Sequence, residues 1–119
     1  MTFTCKWSGS AVSENLRVQP GNGRWKASGV YGVFLKELVY TLIAERVRQR
    51  WRMVFGRTEV RLDITCPGGM DHHNLIKPCL DALQRAGIIE NDRDCWDVRA
   101  VRVGVGKVSE IAFKVEEVT

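Results

Sequence analysis

The chain has 119 residues, 45% of them apolar and 27% charged, which gives one ordinary domain a core to bury and excludes both general disorder and two lobes with a cleft between them. Its formal net charge of +4, from 18 Lys and Arg against 14 Asp and Glu, suits a polyanionic partner without specifying one. No run nears the roughly 18 apolar residues that span a bilayer, and Met1 to Val12 holds no long apolar stretch of the secretory kind, so a single cytoplasmic domain over residues 1–119 with no membrane contact is expected.

Phe3 to Trp7 reads as a short edge strand. Ser8 to Ala27, with Pro20, Gly21, Asn22 and Gly23, has turn formers without apolar periodicity and is expected to form one long loop. Long loops in compact domains are more often functional than idle. Here Arg17, Arg24 and Lys26 suit a polyanion, and Trp25 stands between two of them, where it can stack on an opened base. Beyond Ser28, a candidate N-cap, Leu35, Leu38, Val39, Leu42, Ile43 and Val47 recur at helical spacing, which predicts a helix ending near Trp51. Arg46, Arg48, Arg50 and Arg52 close it. Steps of two spread these charges over several faces, as fits a solvated helix end as well as a DNA contact.

Val60, Leu62 and Ile64 alternate with polar residues, so Thr58 to Cys66 is a strand with one buried face, ended by Pro67, Gly68 and Gly69. Leu75, Ile76, Cys79, Leu80 and Leu83 then mark a second helix, with Gly87 as its stop. Proline is tolerated only near a helix start, so Pro78 requires this helix to begin near Asn74 or to bend there. After the turn-like stretch Glu90 to Asp94, alternation over Val98 to Val103 and over Val108 to Val118 predicts two strands, joined as a hairpin through Gly104 to Lys107. The order β, α, β, α, β, β implies an α+β fold, a small mixed sheet with both helices packed on one face.

The chemistry is concentrated in Gly69-Met70-Asp71-His72-His73-Asn74-Leu75-Ile76-Lys77. If Asp71 to His73 is extended, residues 71 and 73 point to one side and His72 to the other. Lys77 follows one helical turn beyond His73, on the same face. Three polar side chains then converge beside a helix N-terminus, whose free amides suit a phosphate. Asp92 is the fourth candidate. A helix of about twelve residues is roughly 18 Å long, and five extended residues from Gly87 span about 17 Å at most. Asp92 therefore reaches the spot only on a stretched loop, round the sheet, or from a partner subunit.

With their spacing, these residues resemble the RusA family of Holliday junction resolvases, whose signature is D-x-D-N-x-x-K, then D-A-L, then a paired acidic motif. Asp71, His73, Asn74 and Lys77, then Asp81-Ala82-Leu83, then Asn91-Asp92 stand at the matching positions without insertion, and Ser13-Glu14-Asn15 and Lys26 to Ser28 add a weaker upstream likeness. The resemblance implies a RusA-like fold and a homodimeric endonuclease that makes paired cuts in four-way DNA junctions during recombination and repair, using magnesium held by aspartates. It makes Asp71, Asp92 and Lys77 catalytic, gives Asp71, His73 and Asp92 to the metal, and leaves Arg17, Arg24, Trp25 and Lys26 for DNA. His73 departs from the pattern, standing where the family has its second aspartate. Imidazole is a poor magnesium ligand and suits manganese or zinc better, so the expected cofactor is magnesium or manganese. Glu90 and Asp94 lie near enough in sequence to supply a carboxylate.

Other readings stay open. The domain binds junctions without cutting them if His73 has ended the metal chemistry. Cys66, His72, His73, Cys79 and Cys95 include zinc-ligand types, but they lack the paired spacing of structural zinc motifs, and Cys79 belongs to an apolar helix side. With Cys5 they form no CxxC pair, so reduced thiols are expected. Asp71 and Asn74 also suit helix capping, Asp92 and Asp94 suit turns, and His72 is expected to face DNA or solvent. Trp7, Trp51 and Trp96 read as core or interface anchors.

Overall fold

Period-two alternation builds the sheet. The computed structural model describes residues 1–14, 18–21, 24–27 and 29–118, with backbone alone for 18–21 and 24–27. In chain order the elements are β1 (Thr2–Gly9), β2 (Val18–Gly21), β3 (Arg24–Ala27), α1 (Gly29–Gln49), β4 (Thr58–Cys66), α2 (Ile76–Arg85), β5 (Cys95–Val105) and β6 (Ser109–Glu117), with 3₁₀ turns over His72–Leu75 and Asp92–Asp94. Four strands form one mixed sheet in the order β1-β6-β4-β5, parallel between β4 and β5 and antiparallel elsewhere. Register aligns its inward residues in three rows: Phe3–Val115–Val60–Val98, Cys5–Phe113–Leu62–Ala100, and Trp7–Ile111–Ile64–Arg102. Ten of those twelve positions fit an apolar layer without comment; Cys5 behaves as a small hydrophobe, and Arg102 does not fit it.

Both helices cover this face, giving the expected α+β architecture. Helix α1 buries Tyr31, Phe34, Leu35, Leu38 and Leu42, and α2 buries Cys79, Ala82 and Leu83, all within one core. Trp7 packs on Phe34 at 5.2 Å between ring centroids and Phe3 on Trp51 at 5.6 Å. The Trp51 indole N–H donates to the Ile88 carbonyl at 3.0 Å, so two of the four tryptophans are core anchors whose polar atom, where buried, is satisfied. Trp96 is exposed, with the Arg57 guanidinium 4.5 Å above its ring. Among the described residues no helix is long and apolar enough to cross a membrane.

Two connections differ from the sequence-based expectation. Part of the stretch read as one loop is a ribbon, with β2 and β3 paired antiparallel from Val18↔Ala27 to Gly21↔Arg24. Asn22-Gly23 between them is the strongest short hairpin signal a sequence offers. Strands of four residues are too short to show alternation, and Pro20 masks the signal because proline is confined to sheet edges and ribbons of this kind. Secondly, β5 and β6 do not pair with each other, since β4 lies between them. Neighbouring strands stand about 4.8 Å apart, so the short link after Val105 can step over the end of β4, where the Gly106 N–H donates to the Cys66 carbonyl at 3.3 Å.

Both helices end alike. After α2 the Gly87 N–H donates to the Gln84 carbonyl and the Ile88 N–H to the Leu83 carbonyl, and after α1 Arg50 and Trp51 repeat the pattern with Val47 and Arg46. This closure needs a left-handed residue, which is Gly87 at φ 74° and Arg50 at φ 53°. A side chain there costs about 1–2 kcal/mol. Gly87→Ala should therefore destabilise the fold by about that amount, and its Cβ, 2.5 Å from Arg46 Nη1, would displace that guanidinium from the Ala86 carbonyl. Arg50→Gly should stabilise it by about 1 kcal/mol. Urea unfolding of the two variants checks both signs, and equal midpoints would refute the assignment.

Candidate functional site

The site grows from the C-terminal end of β4. There the chain turns through Pro67 to Met70 and enters the 3₁₀ turn, with Asp71 extended at φ −80°, ψ 112° as its N-cap. Asp71 Oδ1 accepts the His73 backbone N–H at 2.9 Å and lies 3.2 Å from His73 Nδ1. Asp71 is thus both a cap and half of an acid–imidazole pair. The His73 amide, followed by the His73 ring and the charges of the two histidines, holds the Asp71 carboxyl below the usual carboxylate range, so it is anionic at neutral pH.

The segment is not extended beyond Asp71, and this corrects the placement of His72. A 3₁₀ turn repeats every three residues, so adjacent side chains no longer oppose each other, while Asp71 and His73 still meet as expected. The His72 and His73 rings lie 4.1 Å apart between centroids. Asp71, His72 and His73 each offer a ligand atom, all within 4.8 Å of one another. Asp92, Glu90 and Asp94 do not belong to this group, nor does any cysteine, among the described residues.

Lys77 and Asp92 meet in a second cluster. Pro78 occupies the first turn of α2, as the sequence requires, with the helix starting at Ile76. Lys77 Nζ points along the helix to Asp81 Oδ1 at 3.1 Å and across to Asp92 Oδ2 at 3.4 Å. The return path closes for three reasons. Ile88 and Glu90 exchange backbone hydrogen bonds with Val54, the Gln84 side chain accepts the Asp92 N–H at 3.1 Å, and the lysine side chain spans what remains. Asp92 thus reaches Lys77 within its own subunit. Asp81 first, then Asp92, raise the Lys77 pKa; the residue is a fixed cation and not a base. Among the described residues no hydrogen bond or ion pair joins this cluster to the Asp71–His73 pair.

Sequence reasoning missed Arg102. Its guanidinium donates to the carbonyls of Pro67 at 2.7 Å, Cys66 at 3.3 Å and Met70 at 3.3 Å. Those three carbonyls belong to the turn that delivers Asp71, so Arg102 fixes the approach to the site. A signal was present: Val98, Ala100 and Arg102 share one face of β5, and a cation in an apolar register is out of place.

The four cysteines are free thiols in separate surroundings. Burial, then Glu45, pushes the Cys5 thiol up to about 11. Burial also raises Cys79 and Cys95, and Cys95 Sγ accepts the Thr58 hydroxyl at 3.3 Å. Of the residues read as DNA contacts, Arg24, Trp25 and Lys26 lie in β3, and Arg17 lies outside the described residues, as does Ser28. A hollow of about 910 Å³ between β1 and α1 includes none of the site residues in its lining. The Asp71 and His73 side chains are instead 60% and 64% exposed, an open placement suited to a polymeric substrate.

No protein-family model matches the chain, and no curated protein matches it.

Proposed function

We propose that the protein is a metal-dependent endodeoxyribonuclease specific for branched DNA, which resolves four-way junctions as a homodimer in recombination and repair. The supporting observation is that Lys77 Nζ is 3.4 Å from Asp92 Oδ2, which brings two distant stretches of the resolvase-like signature into contact, with Asp71 capping the turn that leads into the helix carrying Lys77. The expected RusA-like identity remains part of this proposal.

The residues divide the work by charge. Lys77, cationic and anchored by Asp81 and Asp92, is placed to neutralise a phosphate oxygen as negative charge develops. Asp71, anionic and capped, supplies the carboxylate. Magnesium takes oxygen ligands, and one carboxylate beside two imidazoles is a poor match for it, so of the two expected metals manganese fits better. Arg24, Trp25 and Lys26 of β3 are proposed to contact the DNA arms, and a two-fold dimer suits a substrate with two-fold symmetry.

Incubation with a synthetic four-way junction and either magnesium or manganese tests the proposal. Paired nicks with manganese that disappear in Asp71→Asn are expected. Salt-sensitive junction binding that chelator leaves unchanged, with no cutting in either metal, would replace the nuclease by a non-catalytic junction binder.

A further inference from the structure

We infer that Asp71, His72 and His73 form a surface site for a divalent transition metal, in which His72 is the third ligand and Asp92 is not a ligand.

The geometry carries the first part. Donors bound to one zinc-like ion at about 2.0–2.2 Å stand roughly 3 Å apart, and Asp71 Oδ1 and His73 Nδ1 are already 3.2 Å apart. A His72 ring nitrogen completes a set within 4.8 Å, so modest side-chain rotation closes it on a cation. The frame is fixed at both ends, by the Asp71 cap on the 3₁₀ turn and by the Arg102 hydrogen bonds to the preceding carbonyls. Three donors leave open positions for water or an anion.

Donor chemistry decides the class of ion. Two imidazoles and one carboxylate favour manganese, cobalt, nickel or zinc over magnesium, with affinity rising along that series toward nickel. Electrostatics excludes Asp92, whose carboxylate already has a cation, the Lys77 ammonium. A metal bound there would have to displace Lys77 or share its space against charge repulsion. His72 therefore takes the place that the sequence pattern assigned to Asp92. The inference goes beyond the nuclease proposal, since it concerns metal binding in the absence of DNA.

Titrating the metal-free full-length chain with Co²⁺, followed by visible absorption and calorimetry, tests it. Ligand-field bands should appear at one equivalent, and excess Mg²⁺ should leave them in place. His72→Ala and His73→Ala should each weaken binding about tenfold or more, the scale reached even by changes outside the ligand shell, whereas Asp92→Asn should change it less than about twofold. His73 is exposed while His72 and Asp92 are half-buried, and a circular dichroism melt verifies that each variant is folded. An unaltered affinity in His72→Ala, a loss in Asp92→Asn equal to that in His73→Ala, or absence of the bands would each overturn the inference. Metal binding without junction cutting would uphold it while removing the nuclease proposal.

Discussion

Lys77→Met is expected to lower junction cleavage by about 10²–10³-fold, the cost of removing one transition-state charge donor, while barely moving the unfolding midpoint. The two effects separate because they draw on different surroundings. In the free protein the Lys77 side chain is 40% exposed and its partners Asp81 and Asp92 are 23% and 32% exposed, so each ion pair contributes at most about 1 kcal/mol. Against a phosphate with water displaced, the same ammonium acts at a lower effective dielectric and does far more. Methionine keeps the apolar stem and removes the ammonium. Because the folded-state pKa of Lys77 is raised, its pairing is complete below the ordinary lysine pKa and fades only as pH rises through the raised value. The variant's loss of rate should consequently be the same from pH 6 to pH 9. Single-turnover cleavage at saturating manganese measures it; a rate within threefold of wild type would remove Lys77 from the catalytic group, and Asp92→Asn should reproduce part of the loss by releasing the lysine.

The sequence pattern was most informative where one periodicity governed an element. Thr58 to Cys66 alternates over nine residues and is β4 to the residue; the first-turn position of Pro78 was equally direct, whereas the α1 stripe held for Leu35, Leu38 and Leu42 but left out the buried Tyr31 and Phe34 and included Val47, which is exposed. Non-local pairing was not legible in this way. Whether β5 neighbours β6 or β4 depends on which strand the α2 crossover lays it against, and alternation is the same in either case. The site was half legible for a related reason. Spacing identified Asp71, Lys77 and Asp92 as residues worth watching, but their grouping depends on one local choice: the chain takes a 3₁₀ turn after Asp71 in place of an extended step. That choice turns His72 toward His73 and leaves Asp92 with Lys77. A capping aspartate followed by an amide two residues on was the available clue, since such side chains favour turns over extension.

The second large effect is expected at Arg102, a residue that no motif marks. Arg102→Met should destabilise the fold by about 2–4 kcal/mol, since hydrogen bonds to a charged group contribute about 1.5–3 kcal/mol each and three that share one guanidinium are not additive. Methionine keeps the apolar stem beside Ile64, the β4 partner of Arg102, and removes the guanidinium, so the cost is chiefly that of the lost donors. The carbonyls of Cys66, Pro67 and Met70 would then turn toward water, and the turn that aims Asp71 would lose its clamp. A positioning role differs from a purely structural one in where the damage falls. Co²⁺ affinity and the cleavage rate should both decline in folded Arg102→Met, measured well below its unfolding midpoint, with DNA affinity retained. Arg102→Lys should recover little, because a single ammonium cannot span three carbonyls that a planar fork reaches at once. Its Nε, buried without a hydrogen-bond partner among the described residues, forfeits nothing on substitution, which confines the loss to the two terminal nitrogens. A folded Arg102→Met chain that binds Co²⁺ as tightly as wild type would show that the β4 turn holds Asp71 in place by itself.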